Sequence, residues 1–173
     1  MGAMGVGCLE RMEKFKILMI MKEEQLKLGN QICFPIYSVS RLITKAYKPY
    51  LEKMGLTYPQ YLVLLVLWEH GELSMNQIGE KLLLNTNTLS PLIKRMEKMN
   101  LLKRARSEQD ERSVLVGLTE RGISYKSDAA PVPEKLLKSL LSEEVELTDV
   151  MLLKDTLDKW IDILSKKEKI RED

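Results

Sequence analysis

Cys33 offers the most distinctive chemistry in this sequence, because tyrosines follow it at Tyr37, Tyr47 and Tyr58. A cysteine reacts as the thiolate, and a helix N-terminus or nearby hydrogen-bond donors favour that anion. We expect Cys33 to lie in the first turn of a helix, with tyrosine hydroxyls available to donate to the thiolate. A peroxide oxidises such a thiolate to a sulfenic acid, which proceeds to a mixed disulfide or a sulfinic acid. The spacing therefore predicts thiol redox chemistry.

A charged turn between two short strands, within Asp110–Thr119, offers a second chemistry. From Lys94 to Arg112 there are seven basic and four acidic residues, and this local net charge of +3 exceeds the +2 of the whole chain. A local basic excess is typical of a phosphate-binding surface, although a solvated helix face gives the same excess. The segment predicts a nucleic-acid contact. Together with Cys33 it indicates a redox switch on a DNA-binding protein.

The length of 173 residues is sufficient for one domain with a real core, or for one domain with an extension. Two cysteines and one histidine cannot build a four-ligand zinc site of the usual kind, so we expect no metal and no cofactor. Cys8 and Cys33 lack the pattern of a secreted disulfide protein, and no apolar run approaches the roughly 20 residues of a membrane span. We therefore expect a cytoplasmic protein without a membrane partner.

The apolar spacing predicts a mainly α fold with one small β-hairpin. Helix one is expected from about Asn30, acting as the N-cap, to Met54, with a kink or break near Lys48 because Pro49 lacks an N–H. Residues 1–21, which contain Cys8, are expected to form a variable or loosely ordered extension.

Two short helices and a hairpin form the centre of the predicted fold. Capping signatures begin helices two, three and four at Thr57, Ser74 and Asn85. Strands are expected over Leu101–Arg106 and Val114–Leu118, directly after helix four. A helix-turn-helix followed by a hairpin is a winged helix-turn-helix.

The last helix is expected over about Glu146–Lys166, after a fifth helix that prolines interrupt. Its apolar residues step by three and four, which is a heptad seam that usually faces another helix: Val150, Leu153, Leu157, Trp160 and Leu164. In a compact monomer that partner is helix one, but the terminal helices are better placed to form a two-fold dimer interface. The predicted organisation is an extension (1–21), an N-terminal helix for sensing and dimerisation (22–56), a winged helix-turn-helix (57–120) and C-terminal dimerisation helices (121–173).

Several motifs resemble the MarR family of winged-helix regulators, and within it the organic hydroperoxide resistance regulators. The turn Asp110-x-Arg112 followed by Leu118-Thr119 is similar to the wing signature of the family. The resemblance extends from about Leu28 to Gly122 and includes four blocks in the same order: Asn30–Cys33, Tyr47–Pro49, Tyr58–Leu62 and Asp110–Leu115.

The resemblance implies a homodimeric repressor whose cysteine is oxidised by organic hydroperoxides, which releases a pseudo-palindromic operator in double-stranded DNA. It assigns the reactive thiolate to Cys33 and its supporting hydroxyls to Tyr47, Tyr58 and Tyr37. No cysteine follows Cys33. The resemblance is therefore to the one-cysteine type, in which a small external thiol forms the mixed disulfide.

Helix four is the expected DNA-recognition helix. Its polar residues would face bases and phosphates in the major groove: Thr86, Asn87, Thr88 and Ser90, with Lys94 and Arg95 on phosphates. On the wing, Arg112 would enter the minor groove, oriented by Asp110. Further phosphate contacts are expected from Lys103, Arg104 and Arg106.

Other interpretations of the same residues remain. Cys33 can be a small buried hydrophobic residue, and the tyrosines can simply pack an interface. A MarR-type repressor that responds to a small aromatic or phenolic ligand, without cysteine oxidation, is the main alternative function. A peroxide-consuming enzyme is not expected, because the sequence supplies neither an arginine-backed peroxidatic site nor a resolving cysteine.

Overall fold

The computed structural model describes residues 24–106 and 114–172, with side chains up to residue 166. Over these ranges the chain is mainly helical with a small antiparallel sheet, and the predicted fold class is confirmed. The chain divides into two compact units, and the division falls between Ala46 and Tyr47. Unit one contains the start of the first long helix, and unit two contains the helix-turn-helix and the sheet.

A 3-10 turn at Leu28–Asn30 precedes the first α-helix. The α-helices in the described ranges are α1 Cys33–Lys53, α2 Tyr58–His70, α3 Met75–Leu82, α4 Thr86–Lys98, α5 Glu120–Ala129, α6 Val132–Leu140 and α7 Leu147–Glu172.

Three short strands form one sheet in the order β1-β3-β2: β1 Leu73–Ser74, β2 Leu102–Arg106 and β3 Val114–Leu118. Both pairings are antiparallel, with Leu102 opposite Leu118 and Leu73 opposite Val116. β2 and β3 are the predicted hairpin. The sequence did not predict β1, because two residues are too few to show an alternating pattern.

The predicted caps of the helix-turn-helix are confirmed. The Ser74 backbone N–H donates to Oε1 of Gln77 at 2.8 Å, and the Gln77 N–H donates to Ser74 Oγ at 3.2 Å. Asn85 Oδ1 accepts from the Thr88 N–H at 2.9 Å. The Thr57 N–H donates to Oε1 of Gln60 at 2.8 Å. These bonds satisfy N–H groups that a helix start leaves without partners.

The expected start of helix one was wrong, and the break expected as one possibility near Lys48 is absent. Asn30 is not its N-cap, because Asn30 lies in the 3-10 turn and its side-chain amide donates to the Glu24 carbonyl at 2.7 Å. The helix instead begins at Cys33 and continues through Pro49 to Lys53 without a break. A proline removes a single backbone donor, and the helix retains its other bonds.

The core of unit two is built around α2. Val63, Leu64 and Leu67 of this helix are at most 1% exposed, as are Ile78 of α3 and Ile93 of α4. Because α2 is apolar nearly all round, it packs against α3, α4, α5 and β3. The core therefore fixes α4 and β3 against one central helix.

Gly122, at the start of α5, permits a close approach that joins α5 to the end of the helix-turn-helix. A Cβ atom at this position would lie 2.2 Å from the Leu101 carbonyl oxygen, so only glycine fits. The Thr119 N–H donates to that same carbonyl at 3.1 Å, and the Trp68 indole N–H donates to the Gly122 carbonyl at 2.9 Å. These contacts hold the end of β3 against the base of β2.

Apolar side chains of α7 remain exposed in the single chain. Within the predicted seam, Leu153 is 54% exposed and Leu164 is 63% exposed, while Val150 and Leu157 are half-buried. In unit one, Phe34, Ile36, Val39 and Leu42 of α1 are also exposed. Exposed apolar side chains along a helix often mark a surface that binds a partner, so each of these two helices is a candidate interface.

We expect Gly122→Ala to lower the thermal unfolding midpoint by about 2–12 °C. Overpacking costs roughly 1–3 kcal/mol, and each kcal/mol corresponds to about 2–4 °C in a chain of this length. Gly29→Ala is the matched control, because nothing lies within 4 Å of a Cβ added there. Equal midpoints for the two variants, measured by circular dichroism at one protein concentration, would contradict the close approach.

Candidate thiol site and nucleic-acid interface

Cys33 is the first residue of α1, and its free thiol is exposed. The backbone N–H groups of a helix N-terminus favour an anion. Exposure makes the sulfur accessible to a dissolved oxidant. In the single chain, Cys33 is therefore a surface residue and not part of the hydrophobic core.

Tyr37 lies one helical turn after Cys33, within unit one. Its hydroxyl oxygen accepts a hydrogen bond from Arg41 Nη1 at 2.8 Å, and the guanidinium carbon lies 5.5 Å from the ring centroid. A phenol that accepts through its oxygen keeps its own proton for another acceptor. Arg41 is a residue that the sequence reasoning missed, although its spacing of four from Tyr37 is a contact distance on a helix.

Tyr47 and Tyr58 lie together in unit two, with ring centroids 5.0 Å apart. Tyr61 completes the cluster at 5.7 Å from Tyr47 and 6.3 Å from Tyr58, and its other edge faces Trp68 at 6.4 Å. The structure thus brings together two of the three predicted tyrosines, and it adds Tyr61. The third, Tyr37, belongs to unit one with Cys33.

Burial keeps the hydroxyls of this cluster protonated. Desolvation raises the pKa of Tyr58, and desolvation followed by repulsion from Tyr58 raises the pKa of Tyr47. For Tyr61, desolvation and then the charges of its two neighbours raise the pKa to about 12. At neutral pH all three phenols are therefore neutral hydrogen-bond donors, which is the form that can bind a thiolate.

On the DNA-recognition side, Thr86, Ser90 and Lys94 form one stripe of α4, because they are spaced by four residues. They line a cleft of about 330 Å³ with Arg104 of β2 and Asn76 of α3. The structure therefore groups these four of the predicted DNA contacts and adds Asn76. Three further predicted contacts are exposed on α4 outside this cleft: Asn87, Thr88 and Arg95.

The basic residues of β2 point to opposite sides of the sheet. Arg104 shares a face with buried Leu102, since strand residues two apart lie on one face. Arg104 donates through Nε at 3.0 Å and Nη2 at 2.6 Å to Oε2 of Glu97 on α4. Lys103 lies on the other face, over Gly117. The sequence reasoning counted Glu97 only as an acidic residue.

The predicted wing pair, Asp110 and Arg112, lies outside the described residues. Arg106, the last residue of β2, is exposed. In the described ranges, no group of histidine, cysteine and acidic residues is arranged to hold a metal. No helix there is both long and apolar enough to cross a membrane.

Most of the chain aligns with a known regulator. The organic hydroperoxide resistance transcriptional regulator of Bacillus subtilis (strain 168) is 47% identical over 146 residues, which are 84% of this chain and 97% of the relative. The chain belongs to this branch of the MarR family of winged-helix regulators. The family of transcriptional regulators described as SarA/Rot also matches, over residues 45–129. The resemblance inferred from the motifs is confirmed.

Solved structures of AbfR, a protein of Staphylococcus epidermidis, are similar to this chain. Reduced AbfR bound to DNA has a TM-score of 0.68 and 37% identity, and the match covers 83% of this chain and 98% of that one. Overoxidised AbfR bound to DNA has a TM-score of 0.65 and 38% identity, with the same coverage. The protein is a DNA-binding transcriptional regulator and not an enzyme.

We expect the stability of the protein to fall between pH 10 and pH 12, and Tyr61→Phe to reduce this fall. The unfolded chain loses the Tyr61 proton near pH 10, whereas the folded chain keeps it until about pH 12. Within that window, rising pH therefore favours the unfolded state. Urea unfolding at a series of pH values measures the effect, and parallel curves for wild type and variant would contradict it. Tyrosinate absorbance, recorded with and without denaturant, gives an independent check.

Proposed function

We propose that this protein is a transcriptional repressor that senses organic hydroperoxides through Cys33 and releases its operator when that cysteine is oxidised. The observation that carries the proposal is the free, exposed thiol at the first residue of α1, in a chain of the hydroperoxide resistance branch. The cytoplasm is the compartment we propose, because its thiol pool can reduce the oxidised protein again.

The chemistry needs two steps. The Cys33 thiolate attacks the outer oxygen of the hydroperoxide, the O–O bond breaks, and the products are a sulfenic acid and an alcohol once the departing alkoxide takes a proton. A small thiol then attacks the sulfenic sulfur, which gives a mixed disulfide and releases water. The cysteine is oxidised and the peroxide is reduced.

The tyrosine hydroxyls are the proposed partners of the thiolate within a homodimer. Tyr47 and Tyr58 are neutral donors held in one cluster by their packing on Tyr61. Tyr37 adds a donor whose oxygen is already occupied by Arg41. Hydrogen bonds to an anion contribute about 1.5–3 kcal/mol each. Oxidation removes the anion, so these bonds are lost and the packing around them changes.

The mixed disulfide is the form that we propose releases DNA. Overoxidised AbfR is bound to DNA, which supports the view that added oxygen atoms alone do not cause release in this family. A mixed disulfide adds a whole thiol to Cys33, and the proposed dimer interface along α1 would not absorb such a volume without movement, because packed side chains leave little free space. No cysteine follows Cys33, so the thiol comes from solution.

The proposed DNA contact places α4 in the major groove. The polar residues of α4, all exposed except the half-buried Ser90, would contact bases and phosphates there: Thr86, Asn87, Thr88, Ser90, Lys94 and Arg95. Lys103 and Arg106 add phosphate contacts from the wing, and Arg112, oriented by Asp110, enters the minor groove.

A homodimer explains both the operator symmetry and the uncovered apolar surface. The exposed apolar residues of α1 and α7 are the proposed interface, with residues 22–56 and 121–173 as dimerisation parts and 57–120 as the DNA-binding part. Two recognition helices must stand about one DNA turn apart to bind a pseudo-palindromic operator. A change at Cys33 that alters this spacing by enough to cost about 3 kcal/mol weakens binding roughly a hundredfold.

Reduced wild-type protein and Cys33→Ser should both bind the promoter upstream of the gene. Addition of an organic hydroperoxide with a small thiol should weaken wild-type binding about a hundredfold, while Cys33→Ser stays bound. A reductant should restore the wild-type complex. Peroxide in large excess without thiol should release less DNA than peroxide with thiol. If both proteins hold DNA under every condition, the redox proposal fails.

Tyr47→Phe and Tyr58→Phe should each slow the peroxide oxidation of Cys33 by about tenfold, because each removes one hydrogen bond to the thiolate. The rate is measured by trapping the sulfenic acid. Tyr50→Phe, on the same helix as Tyr47, is the matched control and should react as wild type does. DNA binding of the reduced variants should be unchanged. Wild-type oxidation rates in both variants would remove the tyrosines from the proposal.

One observation favours the alternative of a ligand-responsive repressor. An apolar cavity of about 510 Å³ in unit two is lined by Tyr61, Leu65 and Trp68 of α2, together with residues from α5 to the start of α6. Its size and lining suit a small aromatic molecule. The Cys33→Ser titration separates the two functions, since a ligand sensor does not need the thiol.

A further inference from the structure

Glu97 is the only acidic residue of α4 in the segment Thr86–Lys98. A carboxylate on a helix that binds DNA repels phosphates unless a cation neutralises it. Here the neutralising cation is Arg104, which gives both Nε–H and Nη2–H to the one Oε2 atom. A lysine cannot reproduce this fork, because its charge is a single point on a flexible stem.

The position of the pair connects the recognition helix to the wing. Glu97 lies seven residues after Ser90 on the same edge of α4, and it contacts Arg104, which lines the cleft. Arg104 stands in the middle of β2, opposite Val116 of β3, which is fully buried. The backbone connection between α4 and β2 is only three residues long, from Met99 to Leu101. The ion pair closes this short loop from its other side.

The pair of Glu97 and Arg104 carries no net charge. Once Glu97 and Arg104 are paired, their charges cancel, and Arg104 contributes little to the attraction of phosphates. Both side chains are about one-third exposed, at 34% for Arg104 and 36% for Glu97, so solvent screens the pair and its contribution to global stability is small. Its effect is expected on the direction of the wing and not on whether the protein folds.

We propose that Arg104 and Glu97 form a clamp that positions the wing against the recognition helix, and that Arg104 is a positioning residue instead of a phosphate contact. The inference rests on the proposed DNA interface. It replaces the role that the sequence predicts for Arg104. Lys94, which lies on the same cleft and has no acidic partner within the described residues, serves as the phosphate contact for comparison.

The test measures operator affinity against salt concentration for full-length reduced protein. Arg104→Ala should weaken binding about tenfold while the slope of log affinity against log salt stays at the wild-type value. Arg104→Lys should behave as Arg104→Ala does, because the charge remains but the fork is lost. Lys94→Ala should weaken binding and reduce the slope by about one.

For Glu97→Ala, the two explanations predict opposite changes in DNA affinity. Removal of an acidic charge from a DNA-binding helix strengthens binding if only charge matters, whereas loss of the clamp weakens it. We expect weaker binding, partial recovery in Glu97→Gln, which keeps an acceptor for Arg104, and no further loss in the double variant Glu97→Ala/Arg104→Ala.

Two outcomes would overturn the clamp: a reduced slope for Arg104→Ala with full rescue by Arg104→Lys, or tighter binding by Glu97→Ala. Circular dichroism of each variant checks that the fold is intact. If Lys94→Ala changes neither affinity nor slope, the proposed DNA interface has failed, which is a different result from failure of the clamp.

Discussion

The burial of α2 is the constraint on which the rest of unit two depends. Val63, Leu64 and Leu67 are at most 1% exposed, and α3, α4, α5 and β3 all pack on this helix. Each fully buried side chain of this kind contributes roughly 1.5–3 kcal/mol. Because a close-packed interior does not deform continuously, α2 and its neighbours move together or not at all. The recognition helix therefore inherits its orientation from the packing of α2.

Tyr61 makes this core and the tyrosine cluster parts of one structure. Its side chain is 1% exposed within the core, and its ring packs on both Tyr47 and Tyr58. A change in the hydrogen bonding of those two hydroxyls therefore acts on a residue of α2, and α2 carries α4. The hydroxyls of Tyr47 and Tyr58, which are the proposed partners of the thiolate, are therefore connected to α4 by packed contacts within unit two.

The sequence could predict what depends on neighbours along the chain, and this explains which expectations were correct. The caps at Ser74 and Asn85 were predicted because each bond spans three residues. The cap at Asn30 was wrong, because Asn30 belongs to a separate 3-10 turn and the helix begins only at Cys33. The pair of Glu97 and Arg104 spans a helix and a strand, and no periodic pattern reveals it. For the same reason Arg104 alone was interpreted as a free cation.

In the proposed mechanism, the lack of a cysteine after Cys33 makes the response depend on two solutes, a peroxide and a thiol. The sulfenic acid has two fates, since a thiol converts it to a mixed disulfide and a second peroxide converts it to a sulfinic acid. The mixed disulfide can be reduced again and adds a whole thiol to the cysteine. The sulfinic acid is irreversible and adds only oxygen atoms. Under this proposal, the ratio of thiol to peroxide decides what fraction of the protein leaves DNA reversibly. An exposed Cys33 suits this arrangement, because both solutes must reach the same sulfur in turn.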